Sequence, residues 1–172
     1  MNLLDLLPPE HLIVPLRANG IRNAIEQLMD RLEASGAVYP ADPLKKRVRT
    51  EPLRDIVAIS DDVLLPHYRS DAVRSLSLAI GISPDRIIPL ETGLEVRPHI
   101  VALILAPQEA ATLYLQTTST LARLLRQHGA TALPVDLPSA RALPRRALIE
   151  RLRARGVPVI DGPDVASGVA WF

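Results

Sequence analysis

The sequence predicts an α/β fold, a mixed β-sheet flanked by helices on both faces. Three observations lead there. The run Ile100–Ala106 is apolar at every position, which suits a central strand covered on both sides, although periodicity alone also admits a buried helix. Two stretches, Ile21–Leu32 and Gln108–His128, place apolar residues at helical spacing. Segments of strand character lie between them, with no repeat, heptad or linker. At 172 residues the chain is long enough for one domain with its own core.

Taken in order, His11–Val14 reads as a short strand ending at Pro15. Ile21, Ala24, Ile25, Leu28 and Leu32 form one helix face, with Asn19 as the expected N-cap and Gly36 as the stop. Asp42–Val48 predicts a shorter helix, mostly solvated and basic through Lys45, Lys46 and Arg47, with Pro52 beyond its end. Ile56–Leu65 predicts one or two strands broken at Ser60-Asp61-Asp62. Leu76, Leu78 and Ile80 alternate with Ser75, Ser77 and Ala79, the pattern of a half-buried strand. A turn is expected at Glu91-Thr92-Gly93. The Gln108–His128 helix should turn Leu113, Thr117, Leu121, Leu124 and Leu125 inward and stop at Gly129. A last helix fits Pro144–Arg155, and Val157–Ile160 suits an edge strand.

Composition narrows the function. Lys plus Arg number 20 and Asp plus Glu 19, a balance that argues against a broad nucleic-acid footprint. The absence of Cys excludes disulfide scaffolds, thiolate zinc sites and Cys nucleophiles. Aromatic residues are only 3%, so the core is aliphatic and base-stacking platforms are not expected. No basic leader opens the chain, and the longest apolar run falls far short of the ~20 residues that span a bilayer. A cytoplasmic protein without membrane insertion is the expectation.

Histidine is the side chain whose unperturbed charge changes near neutral pH. His128 sits where a helix C-terminus favours a cation, and His11 opens a strand. No metal site is expected, because no His pair has tight ligand spacing and Asp61-Asp62 lack a third oxygen ligand. His67 follows Val63-Leu64-Leu65-Pro66, so the proline should carry it from a strand end into a loop, where sites tend to lie. Arg69 adds a planar fork for an anionic oxygen. A neutral imidazole is a competent nucleophile at phosphorus. His99 precedes the apolar run: it is either a polar strand cap or, if that strand lies beside Leu65, a neighbour of His67. Lys45–Arg49 reads as a solvated face first and an acidic-partner surface second. The Arg141, Arg145, Arg146, Arg151, Arg153, Arg155 group suits anions, balanced by acid elsewhere.

The order of these elements resembles the IIA component of the fructose/mannitol class of the bacterial phosphoenolpyruvate-dependent sugar phosphotransferase system, which includes the nitrogen-regulatory IIA proteins. Leu3–Leu7 with Pro9-Glu10 resembles the family's opening, and Ile21–Ala34 closed by Gly36 its first long helix. Val63–His67 with Arg69 resembles the active-site motif. His99–Pro107 resembles the central strand, and Tyr114-Leu115-Gln116 through Leu125 the helix after it.

The resemblance implies an IIA-like phosphocarrier domain over residues 1–155; residues 156–172 lie outside it, and their apolar end Val169–Phe172 is expected to pack on the domain or a neighbour. It implies that His67 accepts a phosphoryl group from an HPr-like phosphocarrier protein and passes it to a IIB domain or reports it to a regulatory target. No cofactor is implied. Arg69, Tyr114 and Ser60 are the implied phosphate-binding residues, with His99 and Arg49 behind them.

The chain departs from the family pattern in three places. Ile56–Asp62 has no glycine where the family has a Gly-rich loop, so Asp61 and Asp62 would bring negative charge near the phosphate. Tyr114 stands where a second His is usual, and Arg49 is displaced by one from the Arg-Glu pair, here Thr50-Glu51. A regulatory role is preferred to transport. The alternative is a degenerate binding module without efficient transfer. A small-anion or nucleotide-binding domain ranks last, for want of a Gly-rich phosphate loop.

Overall fold

The computed structural model describes residues 6–90 and 93–128, with side chains up to Arg123. The expected stop at Gly129, the last helix, the Val157–Ile160 strand and the 156–172 extension lie outside the described residues.

Along the chain, a 3-10 turn at Pro9–His11 leads into β1 (Leu12–Ile13), followed by α1 (Ile21–Ala34), α2 (Asp42–Thr50), β2 (Ile56–Ala58), β3 (Val63–Arg69), β4 (Ser77–Ile82), β5 (Ile100–Ala106) and α3 (Ala111–His128). The five strands form one sheet in the order β1-β4-β5-β3-β2. β1 pairs with β4 in parallel and β3 with β5 in parallel, while β4–β5 and β2–β3 are antiparallel. The sheet is mixed, as the sequence predicts.

β5 is central, and all seven of its residues are buried. Alternation divides them between two cores. Val101, Leu103 and Leu105 face α1 and α2, joined by Leu64 and Tyr68 of β3. Ile100, Ala102, Ile104 and Ala106 face the other way with Val63 and Leu65, towards Leu121, Ala122 and Tyr114 of α3. Helices therefore cover both faces.

Several local expectations change. Asn19 does not cap α1: Gly20 is the N-cap and makes no side-chain cap bond, while the Asn19 N–H donates to Asn23 Oδ1 at 3.4 Å. The stop at Gly36 holds, at φ 78° in the left-handed region. β4 is buried on both faces rather than half-buried, because β5 covers one edge and both cores meet around it. Leu113 is 40% exposed, because the stripe of α3 that meets the sheet runs through Tyr114, Thr117 and Leu121.

α2 is less solvated than its composition suggests. Lys45 is paired with Asp30 and, at 3.3 Å, with Glu33, which ties α2 to α1. Arg49 donates to both oxygens of Glu26 at 2.8 and 2.9 Å. Arg22 of α1 donates to the carbonyls of Val48 and Glu51, satisfying acceptors that a helix C-terminus leaves open.

Candidate functional site

His67 is not in a loop. It lies within β3, opposite Ile104 of β5, and the strand continues to Arg69. Pairing with β5 overrides the proline signal at Pro66. In the ladder, the His67 N–H donates to the Asp55 carbonyl at 2.9 Å. Successive backbone groups alternate, so the N–H that Pro66 lacks would have faced β5. One ladder bond is forgone immediately before the histidine.

Strand alternation puts Val63, Leu65, His67 and Arg69 on the α3 face. His67 is half-buried there, and its Nδ1 lies 3.1 Å from the Leu65 carbonyl. A carbonyl only accepts, so this contact assigns the ring proton to Nδ1 and leaves the lone pair on Nε2. The first turn of α3 delivers Tyr114 against the imidazole, with ring centroids 5.8 Å apart and planes inclined by 43°. Arg69 reaches across the same phenol, its guanidinium carbon 5.6 Å from the ring centroid, and its Nη1 lies 3.5 Å from the Gln108 carbonyl. Burial raises the Tyr114 phenol pKa, and the Asp55 carboxylate adds to the rise against the opposing pull of Arg69 and Arg47. At neutral pH Tyr114 is therefore a hydrogen-bond donor.

His67, Arg69 and Tyr114 thus meet, and the other sequence candidates do not join them. His99 lies one residue before β5. Five residues at ~3.3 Å each separate it from Ile104, the partner of His67, so the two histidines stand about 16 Å apart along the sheet. His99 is buried, its N–H donates to the Asp62 carbonyl at 2.9 Å, and its Nδ1 lies 3.2 Å from the Ser83 carbonyl. The strand-cap alternative describes it.

Ser60 belongs to the β2–β3 turn at that same far end, where its Oγ accepts the Asp62 N–H at 3.2 Å. Asp62 is there as well, 2.9 Å from Arg86, so the feared repulsion of phosphate by this carboxylate does not arise at His67. Arg49 is committed to Glu26 on the outer side of α1 and α2. Among the described residues no group of His, Cys, Asp and Glu is placed to hold a metal.

Asp55, which the sequence did not single out, and Arg47, read there as part of a solvated basic face, lie beside the site. Asp55 stands opposite His67, as the Ile56–Pro66 register and the shared backbone bond require. Its carboxylate accepts from Arg47 Nη2 at 2.6 Å. Arg47 also donates to Glu51 at 3.2 Å and lies 5.5 Å over the ring of Tyr68. Tyr68 points to the opposite core, where burial pushes its phenol up to about 12. A register of β2 on β3 is the signal that would have found Asp55. The turn length that sets this register is ambiguous in sequence.

This arrangement supplies an imidazole nitrogen with a free lone pair, a guanidinium, a phenol donor and the amide-bearing first turn of a helix. Those are the parts needed to hold a phosphoryl group. Large apolar side chains stay exposed nearby on β2 and α3, at Val57, Leu113 and Leu115.

Residues 5–133 match the family model described as "Phosphoenolpyruvate-dependent sugar phosphotransferase system, EIIA 2". The fold is shared with the nitrogen regulatory protein IIA-Ntr from Neisseria meningitidis, at 18% identity and a TM-score of 0.61 over 82% of this chain and 98% of that one. It is shared with IIA mannitol from Escherichia coli, at 16% identity and a TM-score of 0.55 over 83% and 96% of the two chains. The same mannitol protein has been determined in complex with phosphorylated enzyme IIB, and in that complex it matches at 15% identity and a TM-score of 0.55, over 84% and 95%. At these identities the likeness speaks for the fold. No helix among the described residues is long and apolar enough to cross a membrane.

Proposed function

The chain belongs to the EIIA 2 family of the phosphoenolpyruvate-dependent sugar phosphotransferase system, and on that footing we propose that His67 is its phosphoryl acceptor, loaded by an HPr-like phosphocarrier protein. The observation that carries this reading is the Nδ1 contact to the Leu65 carbonyl at 3.1 Å, which leaves the Nε2 lone pair as the nucleophile.

In the transfer, Nε2 attacks phosphorus while the bond between phosphorus and the donor's imidazole nitrogen breaks. The electron pair returns to the donor ring. The imidazolium character that develops on His67 is supported by the carbonyl accepting its Nδ1–H. Arg69 and the Tyr114 hydroxyl serve the equatorial oxygens, whose negative charge the first turn of α3 also favours. Little covalent chemistry is asked of the protein, and fixed donors supply most of the stabilisation.

Exposed Val57, Leu113 and Leu115 suit a protein donor, because apolar side chains near a reactive group form the desolvated centre of an interface. The acceptor downstream is a IIB domain or a regulatory target, and a regulatory role is preferred. A second reading is a binding module that keeps the fold and transfers poorly. Tyr114 favours it, since a phenol brings no positive charge to the phosphate.

Incubation of the full chain with phosphoenolpyruvate and its carrier chain is expected to add one acid-labile phosphate, absent in His67→Ala. A wild-type chain that stays unphosphorylated under those conditions rejects the first reading in favour of the second.

A further inference from the structure

We propose that Asn19 is a self-modification site: its side-chain carboxamide is attacked by the backbone nitrogen of Gly20, and the residue ends as aspartate or isoaspartate, with a new negative charge at the start of α1.

Asn19-Gly20 is the only Asn-Gly step in the sequence. Glycine has no Cβ to obstruct the approach of its nitrogen to the preceding side chain. The structure leaves both partners at liberty. Asn19 is exposed, and the cap bond that its residue type suggests is not made. Among the described residues its carboxamide has no hydrogen-bond partner, and the Gly20 N–H has no acceptor. Asn23, by contrast, lies inside α1, and its Oδ1 accepts from Gln27 Nε2 at 2.9 Å.

The two residues form a bend outside any helix or strand, while their flanks are fixed. The Leu16 N–H donates to the Ile82 carbonyl at 2.7 Å, Gln27 Nε2 donates to the Arg17 carbonyl at 2.8 Å, and Ile21 is buried. The rotation that brings the Gly20 nitrogen to Asn19 Cγ is therefore local. The helix adds to the chemistry. The reaction begins with loss of the Gly20 amide proton, and that nitrogen stands at the positive end of a 14-residue helix with no side-chain cap. The dipole favours the amide anion there. An open cleft of about 430 Å³, lined by Asn19, Gly20, Asn23 and Leu90 among others, admits water.

The deprotonated Gly20 nitrogen bonds to Asn19 Cγ. The Cγ–Nδ2 bond breaks, and Nδ2 takes a proton from solvent and leaves as ammonia, which closes a five-membered succinimide. Water then opens the ring. Attack at Cγ restores the normal backbone and gives aspartate. Attack at the main-chain carbonyl gives isoaspartate, whose backbone runs through Cβ and Cγ. The net change is one water in and one ammonia out. Either product puts a carboxylate just before the α1 N-cap, where the dipole favours it. Isoaspartate also adds a backbone atom between buried Leu16 and buried Ile21, which displaces the start of α1.

The test ages the full folded chain at mildly acidic and mildly alkaline pH, with the same chain unfolded in urea alongside. Peptide mapping by mass spectrometry locates any gain of about 1 Da, and isoaspartyl methyltransferase labels the isoaspartate. The gain should fall on the peptide carrying Asn19, rise with pH and spare Asn23. Gly20→Ala should slow it about tenfold, because the methyl group hinders the nitrogen. That variant should melt within a few degrees of wild type: the backbone at position 20 is extended (φ 176°), and the nearest atom to the new Cβ is the Ile88 carbonyl oxygen at 3.8 Å. Asn19→Gln keeps a carboxamide but would need a six-membered ring, so the gain should vanish, and this variant decides the matter if Gly20→Ala folds poorly.

An Asn19 that stays intact in the folded chain, whether or not it reacts in urea, overturns the proposal. An equal gain in Gly20→Ala and wild type, or a persistent gain in Asn19→Gln, overturns it as well.

Discussion

The imidazole of His67 and the phenol ring of Tyr114 lie 5.8 Å apart, centroid to centroid, one carried by a strand and the other by the first turn of the following helix. Neither element alone builds the site. β3 fixes the nucleophile in a ladder, and α3 brings a donor across it.

Tyr114→Phe keeps the ring contact and removes the hydroxyl. Phosphorylation of His67 should fall roughly tenfold, with the melting temperature little changed, since the loss is one hydrogen bond to an anion. Tyr114→His should restore or exceed the wild-type rate. Quench-flow with a phosphorylated carrier protein reads both, and an unchanged rate in Tyr114→Phe removes the phenol from the mechanism.

Arg69 is exposed, its guanidinium lies over the Tyr114 ring and its one hydrogen bond among the described residues, to the Gln108 carbonyl, is long, so its remaining donors can meet an incoming anion. Arg69→Gln should slow transfer by about 10- to 100-fold, while Arg69→Lys, which keeps charge but loses the fork, should recover part of it. Arg49→Gln serves as the contrast. Its guanidinium is bound to Glu26 at the surface, and phosphorylation should proceed at the wild-type rate.

His11 links the N-terminal turn to the sheet and to α1. Its Nδ1 lies 3.0 Å from the Leu78 carbonyl and its Nε2 2.8 Å from Ser35 Oγ. Burial lowers its pKa, more than the hydrogen bonds to backbone carbonyls and the charge of Glu10 raise it. The unfolded chain therefore takes up a proton at higher pH than the folded one. Stability present above pH ~6.5 should be lost as pH falls through that value towards the folded pKa. Thermal melts between about pH 7.5 and 5.5 should show the decline, flattened in His11→Gln. A wild-type melting temperature that is level across this range contradicts it.

Gly81 sits in β4 where a Cβ would stand 2.6 Å from Leu16 Cδ2 and 3.3 Å from two further atoms of that side chain. Leu16 is fully buried, so its displaced methyl would have to push into the packed core. Gly81→Ala should cost about 1–3 kcal/mol by overpacking. Leu16→Ala added to it should cost less than the sum of the two single changes, a coupling that denaturant titration measures. Strict additivity would place the clash elsewhere.

The sequence by itself determined the class of fold, through local signals that tertiary context had little cause to override. The unbroken apolar run at Ile100–Ala106 can be satisfied only by cover on both faces, and it became the central strand. The spacing of Ile21, Ala24, Ile25, Leu28 and Leu32 specified α1, with Gly36 ending it. His67 and Arg69 were legible as a Pro-His-x-Arg motif after an apolar strand, but the sequence placed them in a loop; only the strand they in fact occupy puts the two on one face.

Only the tertiary structure decided what stands around that face. Parallel pairing of β3 with β5 put His99 at the far end of the sheet, and the β2–β3 register put Asp55 beside His67 and carried Ser60 away. Arg47 and Arg49 look equivalent in a basic run, yet two residues on a helix turn side chains about 200° apart, one towards Asp55 and the other towards Glu26. Register and crossing are properties of contacts between distant segments. A pattern read along one segment contains the faces of an element but not the neighbour each face will meet.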